Sequence, residues 1–390
     1  MRPSLPFRQP SQRNFCPTTA QWSKGISTRT ANVPISPAMP ACGCNSFHRA
    51  PIRYMQSHAA FPGHDWKEEN MKHQWDIVAV GTLNVDLIII GEAPRDMEVL
   101  AQWLGPSLVE LTAAGSVGYC AVALARLGLR VSLLSSVADD IFGHWILRQL
   151  NVEGVDTQMV TMESGQQSGI GIYILLFGSR KRPLTGRLAT HAPWPEELLP
   201  TQEEHLRQAR LLHCGGYLHY PQRWGTPTEK LYQKAKGYGL ITSVDTQFPL
   251  VPVEGTWMPL FGNLLSYVDV IFCDESEAQA ITGASHLEDA ATTLISAGPR
   301  LAVIKQGAQG ALLATRDQII HQPALPVEEV TDTIGAGDAF DAGVLYGILA
   351  GWELSRTARF ATAVAALTLK GVGGSQTAPT LAEVEAFLAR

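Results

Sequence analysis

The feature that most constrains the fold is a regular alternation of short apolar segments with helix-length amphipathic segments, beginning at Trp75. The segment DIVAVG (76–81) is apolar and ends in glycine, which is typical of a buried parallel strand. VGYCAVALARLG (117–128) has helical spacing and a glycine stop, and VSLLSSV (131–137) is then predicted to be one strand. This alternation predicts an α/β fold of three layers, with a mainly parallel central sheet between two layers of helices.

The same alternation continues towards the C-terminus. Further strands are predicted at ARLLHC, LITSVD, YVDVIFC and LAVIKQ, separated by helix-length segments such as TEKLYQKAKGYG. Two segments interrupt the rhythm, LIIIGEAP (87–94) and GIGIYILLFGSRKRPL (169–184). We expect them to be strands outside the main sheet that form a small β lid. The prediction is one domain over residues 73–390, with lid strands near 86–94 and 169–184.

The first 72 residues differ in composition from the rest of the chain. Residues 1–60 contain seven Arg and Lys, eight Pro and no Asp or Glu, and they lack hydrophobic periodicity. Such a stretch cannot bury enough apolar surface to offset its ordering entropy, so we expect disorder. Three interpretations stay open: a natural start at Met71, an organelle transit peptide, or a functional tail.

Charge and hydropathy exclude several classes of protein. The whole chain has a net charge of −6, and the basic first 60 residues leave −13 for the remaining 330. An acidic domain of this kind argues against nucleic acid as a partner. No apolar run approaches the roughly 18–20 residues that span a bilayer, so we predict a soluble, cytoplasmic protein, with organelle import as the alternative if the extension is genuine. Cys120, Cys214 and Cys273 are predicted to be buried, reduced thiols.

The stretch VTDTIGAGDAFDAGVLYGILAG (330–351) carries the strongest chemical signal. Gly335, Ala336 and Gly337 would let backbone N–H groups approach a ligand closely at the start of an apolar helix, where the helix dipole favours an anion. Asp338 would sit in the first turn. It is either a residue that complements the dipole or a base that takes a proton from an attacking hydroxyl. Gly343 and Gly347 are expected to serve helix packing.

These residues resemble those of the ribokinase-like (PfkB) carbohydrate kinases. DTIGAGDAF is similar to the family's C-terminal signature, and the likeness extends over residues 75–390. GTLNVDLI (81–88) resembles the N-terminal substrate strand, and AAGSVGYCAVALARLG (113–128) the glycine-pair segment that follows. DESE (274–277) stands where the family has N-x-x-E, and KQGAQG (305–310) resembles a nucleotide-binding loop.

The resemblance implies transfer of the γ-phosphoryl group of ATP to a hydroxyl of a sugar or other small polyol. Asp338 would be the general base and Gly335, Ala336 and Gly337 the anion hole. Mg²⁺ would be held through water by Glu277, and Asp332 would join a monovalent-cation (K⁺) site. The other implied contacts are with substrate, at Asn84, Asp86, Gly115 and Tyr119, and with ATP, at Asp274, Lys305, Gly307, Gly310 and Thr362. Lid-to-lid homodimers also occur in the family.

Three departures from the family pattern concern specificity. Ala114–Gly115 replaces the usual Gly-Gly pair and Tyr119 replaces an Asn that contacts sugar. Asp274 replaces the Asn of N-x-x-E, and Thr362 stands where many members have an Asn near adenine. Asp86 has an alternative interpretation as a turn cap, Glu277 as a solvated helix residue, and Lys305 as an exposed strand-end lysine. Alternatives to a sugar kinase are a nucleoside kinase and a catalytically silent protein of the same fold.

Overall fold

The computed structural model describes residues 73–91, 96, 98–99, 102, 107–175 and 185–390. The predictions for residues 1–72, and for the lid residues 92–94 and 176–184, lie outside these ranges. In chain order the elements are β1 (Trp75–Gly81), β2 (Asn84–Gly91), β3 (Ser107–Ala114), α1 (Ser116–Arg126), β4 (Val131–Leu133), β5 (Ser136–Ala138), α2 (Ile141–Val152), β6 (Thr161–Glu163), β7 (Gly169–Ile174), β8 (Thr185–Arg187), α3 (Pro200–Arg207), β9 (Ala209–Gly215), α4 (Thr226–Gly237), β10 (Ile241–Asp245), β11 (Val270–Asp274), α5 (Glu275–Thr282), α6 (Leu287–Ser296), β12 (Leu301–Lys305), β13 (Ala311–Ala314), β14 (Ile319–Gln322), α7 (Ala336–Leu349), α8 (Leu354–Thr368) and α9 (Leu381–Leu388).

The central sheet has the strand order β14-β13-β12-β11-β10-β9-β1-β4. Six neighbouring strands of this sheet pair in parallel, in the order β4, β1, β9, β10, β11 and β12. Beyond β12, the strands β13 and β14 are antiparallel and form that edge of the sheet. The parallel strands match the short apolar runs of the sequence because each is covered on both faces and needs no polar side. The mainly parallel α/β architecture is therefore confirmed.

Alternate residues of β1 show the three layers directly. Ile77 and Ala79 join a buried cluster with residues of α1, α2, α7, α8 and α9. Val78 and Val80 point to the opposite face, where they join a second cluster with residues of α3, α4, α5 and α6. Successive side chains of a strand point to opposite faces, so one apolar strand contributes to both cores.

One predicted strand is two strands. The segment VSLLSSV pairs with β1 only as far as Leu133, and Leu134 N–H then donates to the Ala79 carbonyl at 2.9 Å. From Ser136 the chain pairs with β6 instead, in a separate two-stranded sheet. The prediction of one strand over 131–137 was wrong, because an unbroken apolar run does not reveal that its partner strand changes midway.

The lid is a four-stranded sheet with the order β3-β2-β7-β8. β2 and β7 are the lid strands that the sequence predicted, and they pair in parallel. β3 pairs antiparallel with β2 from Asn84↔Ala114 to Gly91↔Ser107, and the sequence analysis had not identified this strand. Its residues lead directly into α1, so the lid connects to the helix that carries Tyr119.

Close packing with α8 holds α7 in place. A Cβ atom at Gly343 would lie 2.5 Å from the Ala361 Cα, and one at Gly347 would lie 2.6 Å from Thr357 Oγ1. Both glycines therefore permit the two helices to approach, as predicted. The three cysteines of the described ranges, Cys120, Cys214 and Cys273, are free and buried. Within those ranges no helix combines the length and apolar character needed to cross a membrane.

Candidate active site

Three neighbouring parallel strands end in charged residues. β10 ends at Asp245, β11 at Asp274 and β12 at Lys305. Because the strands are parallel and adjacent, their carboxyl ends lie at one edge of the sheet. In open α/β sheets this edge is where ligands bind.

The helix α7 begins at the same edge. Gly335 is its N-cap residue with φ of 73°, and a Cβ there would lie 2.9 Å from the Gly374 Cα. Only glycine combines that left-handed conformation with so close a neighbour. Asp338 lies in the first turn, partly exposed, and accepts a hydrogen bond from Gln247 Nε2 at 3.4 Å. Ala336 N–H donates to the Thr333 carbonyl at 3.4 Å. The N–H of Gly337 has no partner within the helix, so it can bind an anion.

Beneath this turn lies a buried ion cluster, here called the sheet-end cluster and formed by Asp245, Lys305 and Asp341. Lys305 Nζ is 2.9 Å from Asp245 Oδ1 and 2.9 Å from Asp341 Oδ2. Both carboxylate side chains are 1% exposed and the lysine side chain is 16% exposed. Among the described residues, neither Asp245 Oδ2 nor Asp341 Oδ1 has a hydrogen-bond partner. The cluster thus combines two carboxylates with one ammonium ion away from water.

The electrostatics of the cluster extend to Asp338. Burial would lower the pKa of Lys305, but the charges of Asp245 and Asp341 more than offset it and raise that pKa well above its usual range. Burial and the charge of Asp245 raise the pKa of Asp338 well above its ordinary value, and Lys305 opposes that rise. Burial likewise raises the pKa of Asp341, again against the effect of Lys305. Asp338, Asp341 and Lys305 therefore titrate as interacting groups.

Asp274 and Glu277 form a reciprocal cap at the start of α5. Asp274 Oδ1 accepts from Glu277 N–H at 2.8 Å, and Glu277 Oε2 accepts from Asp274 N–H at 2.9 Å. Thr246 Oγ1 also donates to Glu277 Oε2, at 3.0 Å. Glu277 is 7% exposed, and burial followed by the charges of Asp245 and Asp274 raises its pKa to about 7. The acid at position 274 thus has a structural reason, because its carboxylate caps the helix.

On the lid side, Asp86 of β2 is buried and both its oxygens are bound. Tyr119 Oη donates to Asp86 Oδ2 at 2.7 Å, and Asn84 Nδ2 donates to Asp86 Oδ1 at 2.6 Å. Burial raises the pKa of Asp86 to about 6, and the hydrogen bonds from Tyr119 and Asn84 act in the opposite direction. We call Asp86 and Tyr119 the lid pair.

Tyr119 links the lid to the anion-binding turn. Its ring lies 3.2 Å from the position that a Cβ of Gly335 would occupy, and 3.0 Å from the same position at Gly374. The residue is buried in a small apolar cluster with Ile88 and Ile334. Burial and the charge of Asp86 raise the pKa of the Tyr119 phenol well above its usual range, which keeps it a hydrogen-bond donor. One side chain therefore contacts both the lid carboxylate and the start of α7.

The remaining predicted substrate and cation residues flank these groups. Gly115 is the N-cap residue of α1 with φ of 91°, and a Cβ there would lie 2.1 Å from the Thr82 carbonyl oxygen. Asp332 is buried, and its two oxygens accept from the N–H groups of Ile334 at 2.9 Å and Gly373 at 3.1 Å. Asp332 therefore shapes the turn that leads into α7.

The five predicted ATP residues lie in four places. Asp274 caps α5 and Lys305 belongs to the sheet-end cluster, and the other three residues lie in the β12–β13 turn and in α8. Gly307 and Gly310 belong to the short turn between β12 and β13, with φ of 56° and 102°, and a Cβ at Gly310 would lie 1.9 Å from the Gln322 carbonyl oxygen. Thr362 is buried in α8, where its hydroxyl donates to the Ala358 carbonyl at 2.8 Å. Contact of these residues with a nucleotide stays a prediction. Lys305 is not the exposed strand-end lysine of the alternative interpretation, because its ammonium group lies between Asp245 and Asp341.

Sequence reasoning missed Asp245, Asp341 and Gln247. Asp245 had a usable signal, since LITSVD is an apolar strand that ends in an acid at the edge where ligands bind. Asp341 follows Asp338 by three residues, so it lies on the same face of the helix. Gln247 is the one non-glycine residue with positive φ in the described ranges, at 52°, and no local pattern indicated it. Backbone strain of this kind is common at functional sites.

Comparison with known proteins identifies the class of protein that this fold and site define. The model of the pfkB family of carbohydrate kinases matches residues 75–381. The chain therefore belongs to the pfkB carbohydrate kinase family, whose members are phosphotransferases that act on an alcohol group.

Individual curated relatives have low sequence identity to this chain. The chain is similar to 5-dehydro-2-deoxygluconokinase of Geobacillus thermodenitrificans (strain NG80-2), with 26% identity over 80% of this chain and 93% of that protein. It is also similar to 2-dehydro-3-deoxygluconokinase of Bacillus subtilis (strain 168), with 28% identity over 70% of this chain and 86% of the other.

Solved structures support the fold. Arabidopsis thaliana ribokinase complexed with ribose and ATP aligns with a TM-score of 0.65 and 21% identity, covering 81% of this chain and 99% of that one. Vibrio cholerae fructokinase bound to fructose, ADP and potassium ion aligns with a TM-score of 0.67 and 22% identity, covering 81% and 99%. The ribokinase-like fold predicted from the sequence is thus confirmed.

Proposed function

We propose that the protein transfers the γ-phosphoryl group of ATP to a hydroxyl group of a small sugar or sugar acid, with Asp338 as the general base. The observation that carries the proposal is the position of Asp338. It stands in the first turn of α7, where backbone N–H groups can stabilise developing negative charge. A base and an anion hole in the same helical turn are the two functions that phosphoryl transfer to a hydroxyl requires.

The acceptor would lie between Asp338 and the lid pair. Asp86 offers carboxylate oxygens to sugar hydroxyls, and the Tyr119 ring lies against Gly335 at the start of α7. The charge of Asp338 acts on the Tyr119 phenol, so the proposed base and the lid pair lie near one another. Holding the acceptor and the transferring group in line would supply much of the rate enhancement.

The site suits Mg²⁺–ATP in the chemistry of its side chains. The carboxylates near the strand ends, Glu277 and Asp274 beside Asp245, offer oxygen ligands, which are those that Mg²⁺ prefers. Glu277 would hold the ion through water, and the start of α7 would receive the phosphates. When bound, Mg²⁺ supplies positive charge to the phosphoryl oxygens. The Asp332 carboxylate accepts from the Ile334 N–H and so fixes the backbone of the turn that leads into α7. A K⁺ ion held near Asp332 would add positive charge at the anion hole.

The names of the relatives suggest which acceptor to test first. Two of them act, by name, on dehydro-deoxygluconates, which are sugar acids. We therefore propose a six-carbon keto-deoxy sugar acid as the first candidate, with neutral sugars such as ribose and fructose next.

The test is a coupled ADP-release assay over a panel of sugar acids, neutral sugars, sugar phosphates and nucleosides. We expect at least one sugar or sugar acid to stimulate ADP release, and Asp338→Asn to abolish most of that stimulation. Asp317→Asn, a change of the same type at an exposed turn, is the matched control and should behave like wild type. Stimulation by a nucleoside alone would overturn the sugar assignment, and no stimulation by any acceptor would overturn the kinase proposal.

A further inference from the structure

The starting point is the direction of Lys305. A lysine at the end of a strand beside a phosphate site would ordinarily extend towards the phosphates as a mobile positive charge. Here its ammonium group is instead fixed 2.9 Å from each of two carboxylates, Asp245 and Asp341, whose side chains are 1% exposed. Two buried partners leave the ammonium little freedom to swing out to a nucleotide.

The ammonium is also close to the catalytic turn. The Cβ position of Gly337 lies 3.8 Å from Lys305 Nζ, and Gly337 directly precedes Asp338 in the first turn of α7. Asp341, which binds the ammonium, is three residues further along the same face of the helix. The positive charge is thus anchored on the helix that carries the base.

The cluster is unbalanced without this lysine. The charged and titratable groups that interact with Asp338 or with Lys305 come from eight elements. They are Asp245 of β10, Lys305 of β12, Asp341 of α7 itself, Glu277 of α5, Tyr119 and Cys120 of α1, Tyr173 of β7, Cys273 of β11 and His213 of β9. Lys305 is the cation that faces the carboxylates of Asp245, Asp341, Glu277 and Asp338.

We propose that Lys305 is a positioning residue whose ammonium, fixed between Asp245 and Asp341 beneath the first turn of α7, keeps Asp338 ionised so that it can accept the proton of the acceptor hydroxyl. This inference rests on the proposed role of Asp338 as base. A base close to other acids is of no use while it is protonated, and a fixed positive charge nearby favours its ionised form. The lysine acts through charge on the base, without touching substrate.

The proposal predicts the direction of pH effects in a set of charge variants. Lys305→Met removes the positive charge, so the acid limb of the kcat–pH profile should move up by about one pH unit or more. At pH values on the acid side of the limb, activity then falls about tenfold, and it recovers towards wild type at pH values above the shifted limb. Asp341→Asn removes a negative charge and should move the limb down. The double variant removes one charge of each sign, and its limb should lie between those of the single variants.

A matched control separates charge from stability. Lys236 Nζ also pairs with a largely buried carboxylate, Asp269, at 2.7 Å, but it lies in the last turn of α4. Lys236→Met should lower Tm and leave the pH limb where it is. If Lys305→Met is too unstable to purify, the double variant Lys305→Met/Asp341→Asn is compared with Asp341→Asn alone. This pair tests the same loss of positive charge, but only Asp245 is then left without its ion-pair partner.

Several results would overturn the proposal. A KM for ATP at least tenfold higher with an unmoved limb would make Lys305 a phosphate ligand, as the sequence predicted. A loss of kcat that is equal at every pH would make it a structural residue. If wild type phosphorylates nothing, the proposed function fails, and a ¹³C-carboxyl NMR titration of Asp338, assigned by its absence in Asp338→Asn, decides this inference alone. An unchanged titration midpoint in Lys305→Met would then refute it.

Discussion

The lid pair and the sheet-end cluster satisfy buried carboxylates in opposite ways. Asp86 is surrounded by neutral donors, the Tyr119 hydroxyl and the Asn84 amide. Asp245 and Asp341 share an ammonium ion instead. Neutral donors solvate a carboxylate without cancelling its charge, so Asp86 can still accept from a hydroxylated ligand. The ammonium of the sheet-end cluster balances charge where a phosphoryl group would arrive. We therefore expect the lid pair to recognise the acceptor and the sheet-end cluster to balance the charge of the phosphoryl group.

The strongest test of this division is at the base. Asp338→Asn keeps the size of the side chain but cannot take a proton, so kcat should fall by about 10²–10⁴-fold. ATP affinity, measured by calorimetry, should change little because the backbone anion hole is intact. Retention of more than a tenth of wild-type kcat would show that Asp338 is not the base.

The next largest effect is expected at the lid. Asp86→Asn removes a charged acceptor of hydrogen bonds, each worth about 1.5–3 kcal/mol, so kcat/KM for the acceptor should fall about 10- to 150-fold. Affinity for ATP should stay near wild type, since Asp86 lies on the lid. An equal loss of ATP affinity would break the proposed division between recognition and electrostatics.

Replacing the other member of the lid pair should alter specificity more than rate. Tyr119→Asn removes bulk beside Asp86 and introduces an amide that can both donate and accept. Relative kcat/KM should shift towards pentoses such as ribose by about 2- to 12-fold, the worth of one neutral hydrogen bond. Identical ratios over the acceptor panel would mean that Tyr119 does not line the acceptor site.

The smallest effect concerns pH. Asp86 has a pKa raised to about 6, so kcat/KM should decline below that pH as the carboxylate becomes protonated and loses an acceptor. The Tyr119 hydrogen bond lowers the pKa of Asp86, so Tyr119→Phe should move this limb upward, by about half a unit. A downward shift in the kcat/KM profile would contradict the assignment of this limb to Asp86.

Local signals in the sequence were sufficient for much of this molecule. Apolar strand segments and helical spacing predicted β1, α1 and most of the central sheet, because burial on both faces leaves a readable pattern. They failed at VSLLSSV, where a change of partner strand leaves no mark on an apolar run. They also failed at β3, whose pairing with β2 was not indicated.

The sequence by itself determined the family and the position of the proposed base, because small residues and an acid at a helix start form a contiguous motif. Only the tertiary structure decided what surrounds that base. Lys305 lies 60 residues from Asp245 and 36 from Asp341, and Tyr119 lies 33 from Asp86. Such partners meet because the parallel strands end at the edge where α7 begins, and because α1 directly follows β3, which pairs with the strand that carries Asp86. Side-chain direction there depends on which buried charge needs a counter-ion, and this is settled only when the whole fold forms.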